Sequence, residues 1–379
     1  MALPLPVWEM FRKLEQDIIA RICTRIGAIG KISITDARAL RELQDIGYDM
    51  VAIQREVAST MNLATRKIYD IFEGAVQMEY NAMRSGFDLS GRAWIPFADN
   101  VALQNLVSSI TSATAGQINN MSKTMAVVNT VQGNRKIGAI PLAQYYSDAV
   151  DYAALCVRTG QTDFYSAMRH IVRDMSDHGL RTVDHERRVD YESGYSRRMD
   201  TAVRANITDA QARMSREYAG IIGEQFGSDG MEISYHSGPR PSHAWIGGIQ
   251  VDMETYFRDV LPLMEEPNCY HRSFPIILGI SEPTYTPEEL EALYARDAEE
   301  HDWNGKKLNA YEAQQQQRRY ETAIRRQKDR AMAANALGDA EYAQISRARA
   351  KAIMAEYRRF SEAMGIQIKP TRTRVEGYR

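Results

Sequence analysis

The sequence predicts an α+β fold dominated by helices, and three observations predict it. Apolar residues recur every three to four positions along most of the 379-residue chain. Strand-like alternation is confined to one short stretch, Met231, Ile233 and Tyr235, and a continuous apolar run, FPIILGI, follows at 274–280. Hydrophobic residues make up 44% and charged residues 25%, so the chain can build a packed core and is not composed like a disordered one. On this reading a small β-sheet carries a region rich in His, Arg and Cys, and extended helices form the C-terminal end.

The length fits two or three domains. The pattern divides into an N-terminal helical domain (1–92), a central helical region (93–230), a small α/β region (231–285) and a basic C-terminal helical tail (286–379). In the first, Phe11, Leu14, Ile18 and Ile22 share a helix face that Gly27 is placed to stop. Thr35 or Asp36 can cap a helix with Ala37, Leu40, Leu43 and Ile46 on its apolar face, ended by Gly47. Asp49 can cap a third helix, and a further one follows Asn62. Short helices joined by tight turns resemble a helix-turn-helix unit, which gives residues 30–80 a DNA-reading alternative beside plain helical packing.

Residues 93–140 are expected to hold one or two helices. Helical periodicity returns at 142–156 and again at Phe164, Met168, Ile171, Val172 and Met175, where Gly179 ends the helix. In the charged run that follows, Arg187, Arg188, Arg197 and Arg198 lie among Asp184, Glu186, Asp190, Glu192 and Asp200. We read this as an intramolecular ion-pair network in preference to a phosphate site. Thr286-Pro287-Glu288-Glu289 has a cap, a Pro at the first helical position and acids in the first turn, and so starts a helix. Gly338-Asp339 splits the segment from Tyr311 to about Met364 into two helices.

The net charge of −2 marks no global nucleic-acid binder. From Trp303 to Arg379, however, 17 Lys/Arg stand against 8 Asp/Glu. This basic tail suits an acidic partner or DNA, and equally a solvated helix face. Cys23, Cys156 and Cys269 are too few and too scattered for a disulfide framework and fit a reducing compartment. The start of the chain lacks the pattern of a signal peptide, and no apolar run approaches the ~20 residues of a membrane span. A soluble protein is expected.

Chemistry-bearing residues gather in two segments. HSGPRPSHAW supplies His236, Gly238, Arg240, Pro241, Ser242 and His243; PNCYHRSF supplies Asn268, Cys269 and His271. His236, His243, Cys269 and His271 have the ligand types of a tetrahedral zinc site, although their spacing is not that of a zinc finger. Cys269 with a histidine base is a weaker nucleophile reading, because nothing supplies an orienting group or an oxyanion hole. Ser242 lacks a nucleophile-elbow sequence. The preferred reading is a rigid polar turn: Pro239 and Pro241 fix φ, Gly238 permits a sharp bend, and the histidines tie the turn to the second segment. No catalytic residue and no cofactor are assigned, and zinc stays open.

The combination HSGPRPSHAWIGG and PNCYHRSFPIILGISEPTY resembles the signature of the phage minor capsid protein 2 family, related to Mu-type head-morphogenesis proteins. His236, Gly238, Arg240, Pro241, Ser242 and His243 match its first part. Asn268, Cys269, His271, Pro275, Gly279, Ile280, Ser281, Pro283, Thr284 and Tyr285 match its second. The N-terminal helices and the run DYESGYSRRMDTAVRANI extend the likeness over nearly the whole chain. The resemblance implies a structural virion component made in the host cytoplasm. It would associate with the portal protein or the major capsid protein and act in head assembly or genome packaging and delivery, with packaged DNA a partner for the basic tail. The alternative is a metal-dependent hydrolase or transferase carried in the virion, built on His236, His243, Cys269 and His271.

The chain departs from the family pattern in three places. Glu265-Glu266-Pro267 replaces a Cys-Gly before Asn268, Tyr270 replaces an Arg, and the connection between the two segments is short. The missing second cysteine weakens any cysteine-pair or metal role.

Overall fold

The computed structural model describes residues 5–32, 36, 47–84, 87–88, 91–123, 125–132, 135–159, 163–182, 198–266 and 269–378. Helix α1 (Leu5–Ile29) buries the predicted stripe of Phe11, Leu14, Ile18 and Ile22. It does not stop at Gly27. There the helix passes so close to Leu337 that a Cβ would overlap the Leu337 carbonyl, so this glycine permits a contact and caps nothing.

Helix α2 (Gly47–Ala82) is continuous where the sequence reading breaks it at Asn62. Asn62 is exposed between buried Met61 and Ala64. An interior Asn costs only ~0.7 kcal/mol against Ala, and the buried stripe carries the helix through it. No turn divides 47–82, which removes that part of the helix-turn-helix reading; the helix expected at 37–46 lies outside the described residues.

Helix α3 (Val101–Lys123) is followed by strands β1 (Met125–Gln132) and β2 (Arg135–Pro141), an antiparallel hairpin. The helical expectation for 93–140 therefore fails in its second half. The β-branched Val127, Val128, Thr130 and Val131 ahead of a Gly-Asn pair carried the strand signal. After α4 (Leu142–Arg158) and α5 (Phe164–His178), β3 (Leu180–Thr182) joins the free edge of β1. Asp163 caps α5 by accepting from Ser166 N at 3.2 Å, and Gly179, at φ 65°, ends it.

Helix α6 (Met199–Phe226) leads into the second sheet, in which β4 (Gly230–Ile233) lies between β5 (Gln250–Asp252) and β6 (Ser273–Ile276), all antiparallel. The fold is thus α+β and predominantly helical, with small antiparallel sheets. Pro275 sits on edge strand β6, where a missing donor is tolerated. Helix α7 (Pro287–Ala298) starts with a full capping box between Thr286 and Glu289. A short hairpin, β7 (His301–Trp303) and β8 (Lys306–Leu308), precedes α8 (Ala310–Leu337) and α9 (Ala340–Ala363). These two fold back on one another at Gly338, whose φ of 95° suits glycine. A last turn, α10 (Pro370–Thr373), follows.

One large apolar cluster takes residues from α1 to α6 and also Met332, Ala333, Ala334 and Leu337 of α8 and Tyr342 of α9. The C-terminal helices therefore share a core with the first helix. A second cluster, with Met231, Ile233, Ile246, Tyr256, Val260 and Met264, packs beneath the second sheet.

Charges are buried where these elements meet. Arg198 places Nη2 2.9 Å from Glu15 Oε2 of α1 and Nη1 2.9 Å from Asp329 Oδ2 of α8. Asp200 takes Arg325 at 2.9 Å and faces Arg12 at 3.8 Å. Arg198 and Asp200 thus lie in intramolecular ion pairs. Among the described residues, their ion-pair partners within 4 Å are on distant elements, and each also feels the charge of the other. Asp184, Glu186, Arg187, Arg188, Asp190, Glu192 and Arg197 lie outside the described residues.

Candidate functional site: a His–Cys cluster beside a polar cleft

The site is built where the chain leaves β4 and where it enters β6. These antiparallel neighbours pair Ile233 with Ser273, so the residues just beyond each, 234–243 and 269–272, emerge on the same side. Ser234 N donates to Arg272 O at 2.8 Å and Arg272 N donates to Ser234 Oγ at 2.9 Å, prolonging the ladder by a step. The Arg272 side chain meets Glu79 of α2 at 3.0 Å, which anchors this edge to the helical body.

The turn after β4 is held from outside. Asp297 of α7 accepts from Tyr235 OH (2.8 Å), Ser237 Oγ (2.6 Å) and Gly238 N (3.0 Å), and Gln314 Nε2 of α8 donates to Ser237 O at 2.9 Å. Gly238 has φ 63° and lies against α8, where a Cβ would come within 3.1 Å of Ala310 O. Arg240 is extended, and Pro241 opens a 3₁₀ turn to residue 243 that carries His243 inward to 2% exposure. Ser242, on the outside of that turn, is exposed and apart from the cluster.

Inside, three side chains meet. Cys269 Sγ stands 3.6 Å from His243 Nδ1 and 3.6 Å from His271 Nδ1. One ligand atom from each of the three lies within 4.8 Å of the other two, and all three residues are buried. The His236 ring lies against His271 in a tilted contact, with centroids 4.3 Å apart and planes inclined by 44°. His243 Nε2 faces Glu266 Oε2 at 3.1 Å, and Arg240 Nη1 reaches the same oxygen at 2.6 Å. A proton on His243 Nε2 then donates to the carboxylate, which leaves the Nδ1 lone pair turned toward the sulfur. His271 Nε2 is buried and has no hydrogen-bond partner among the described residues. Asn268 lies outside the described residues.

Burial dominates the electrostatics of His236, Cys269 and His271. Burial, with His236, His243 and Arg240 nearby, pushes the His271 imidazole down to about 3. Burial also lowers His236. The hydrogen bond from His243 holds the Glu266 carboxyl below its usual value, with Arg240 adding to the effect. Burial raises the Cys269 thiol, the opposite of what an activated nucleophile needs.

His236, Arg240, His243 and Cys269 form one wall of a cleft of about 670 Å³. Side chains of α6, α8 and α10, among them Arg204, Arg318 and Arg372, face them across it. Sequence reasoning missed two residues of this arrangement, Asp297 and Glu266. Asp297 carried no motif signal. Glu266 was noticed only as a departure from a Cys-Gly pattern, although an acid three residues before a Cys-x-His pair is the kind of group that orients a histidine.

The class that these observations define is an α+β protein whose helical body carries a small antiparallel sheet, with a polar turn of that sheet held by Asp297 and Gln314. Residues 2–362 match the model of the family described as Phage minor capsid protein 2, and the chain belongs to that family. It is a phage minor capsid protein, a component of the virion. No curated protein and no solved structure matches the chain.

Proposed function

We propose that the protein acts at the portal vertex or capsid interior, in head assembly or in genome packaging and delivery, as a structural part and not as an enzyme. The observation that carries this reading is the family match over almost the whole chain, 2–362, which takes in the helical body, the stapled turn and most of the basic helices. Its partners are the portal protein, the major capsid protein, or both. Co-purification tests it. Tagged protein should retain portal or major capsid protein in a fixed ratio, and failure to retain either would remove the reading.

Packaged DNA is a further proposed partner. Several C-terminal cations are already paired, such as Arg325 with Asp200, Arg330 with Asp177 and Arg372 with Glu321. Lys351 and Arg358, seven residues apart on exposed turns of α9, face solvent. DNA held through such contacts should be released steeply between low salt and ~0.5 M salt, because each phosphate contact releases counterions. Retention on a DNA column that is unchanged across that range would rule out the electrostatic contact.

A further inference from the structure

We propose that His243, Cys269 and His271 bind one zinc ion, with Glu266 orienting His243 from behind. The argument starts from distances. Zinc binds thiolate sulfur at about 2.3 Å and imidazole nitrogen at about 2.0–2.1 Å, so a tetrahedral centre puts S and N about 3.6 Å apart. Both sulfur–nitrogen separations here are 3.6 Å. The third edge, between the two imidazoles, is within 4.8 Å, against about 3.4 Å in a tetrahedral centre, so a bound ion would draw the two rings together.

The surroundings point the same way. A zinc-bound histidine almost always donates its other ring N–H to a carboxylate or carbonyl, which fixes its tautomer and raises its basicity. His243 has that arrangement: Nδ1 turned to the cluster and Nε2 on Glu266, with Arg240 holding the carboxylate. His271, 2% exposed, turns Nδ1 to the Cys269 sulfur in a pocket it shares with two other histidines, while its Nε2 lies on the far side of the ring toward Gly247. Three such groups gathered without a ligand lose solvation for little return, whereas a metal bond compensates for it. Soft sulfur with imidazole selects zinc over magnesium or calcium. His236, whose ring lies 4.3 Å from that of His271 between centroids, is a further imidazole beside these three.

The consequence is structural. A zinc ion would tie the turn at 236–243 to the start of β6, and thus fix the outer surface of the second sheet. Full-length protein purified without chelator should carry close to one zinc per chain by elemental analysis. Cobalt substituted for that zinc should show the visible bands of a tetrahedral site and a near-ultraviolet thiolate charge-transfer band, and Cys269→Ser should abolish the latter. Glu266→Gln should stay folded and bind zinc about 10–100-fold more weakly. Folded wild-type protein that holds under about a tenth of an equivalent after zinc exposure and gel filtration would overturn the proposal. So would a cobalt spectrum left unchanged by Cys269→Ser. The wild-type measurement needs no variant to fold.

Discussion

Replacing Arg198 with alanine is expected to destabilise the protein by about 3–5 kcal/mol, since it strands buried carboxylates without their cation. Arg198 sits between Glu15 and Asp329, which are 1% and 2% exposed, and bonds to both. Glu15 also accepts from Leu180 N at 2.6 Å, so the loss reaches β3. The exposed α6 pair of Arg213 and Glu217 provides the comparison. Arg213→Ala should change stability by under about 0.5 kcal/mol, because a solvated i,i+4 pair contributes little. Urea unfolding of both variants measures the difference. An Arg198→Ala protein within about 1 kcal/mol of wild type would show that the network is not what joins α1 to α8.

The same network sets an acid sensitivity. Burial alone would raise Asp200, but Arg325, Arg198 and Arg12 outweigh it and hold the carboxyl at about 2. Its folded value is therefore below the unfolded ~3.9, so the unfolded chain binds the proton more readily. This contribution is complete above pH ~4 and is lost as pH falls toward ~2; it amounts to about 2–3 kcal/mol. Glu15 acts in the opposite sense, since burial raises its carboxyl. Asp200→Asn should flatten the stability profile between pH 4 and 2, and a profile as steep as wild type would refute the assignment.

Local signals explain which parts of the fold were legible. The stripe of α1, the capping box at Thr286, the stop at Gly179 and the break at Gly338 each depend on a few adjacent residues, and all are in the structure. The His–Cys cluster was also legible in part: two short motifs supplied its members, and strand pairing between β4 and β6 brings them together. What escaped depends on distant packing. Asn62 looked like a break because sequence cannot show that the helix buries Met61 and Ala64 on either side of it. Asp297 reaches the turn from a helix about sixty residues on, with nothing in its own neighbourhood to announce it. Arg198 was expected in an ion-pair network with its neighbours, and the structure adds carboxylates 183 and 131 residues away that nothing nearby in the sequence announces.

Gly27→Ala and Gly74→Ala should move stability in opposite directions, although both put the same residue inside a helix. Each gains about 1 kcal/mol of helix propensity and loses unfolded-state freedom in the same way. At Gly74, on α2, nothing lies within 4 Å of the added Cβ, so the gain is realised and the variant is stabilised by about 0.5–1 kcal/mol. At Gly27 the Cβ meets the Leu337 carbonyl, part of the last turn of α8. A backbone group in a helix cannot rotate aside as a side-chain tip can. The two helices must separate, and overpacking of this kind costs about 1–3 kcal/mol, enough to offset the propensity gain and reverse its sign. The separation would also open the contact where the first and last thirds of the chain share a core, with Ile26 and Ile29 beside Ala334 and Leu337 in the same cluster. Parallel thermal and urea denaturation of the two variants tests this. A Gly27→Ala protein as stable as Gly74→Ala would mean that α1 and α8 do not approach as closely as the fold requires.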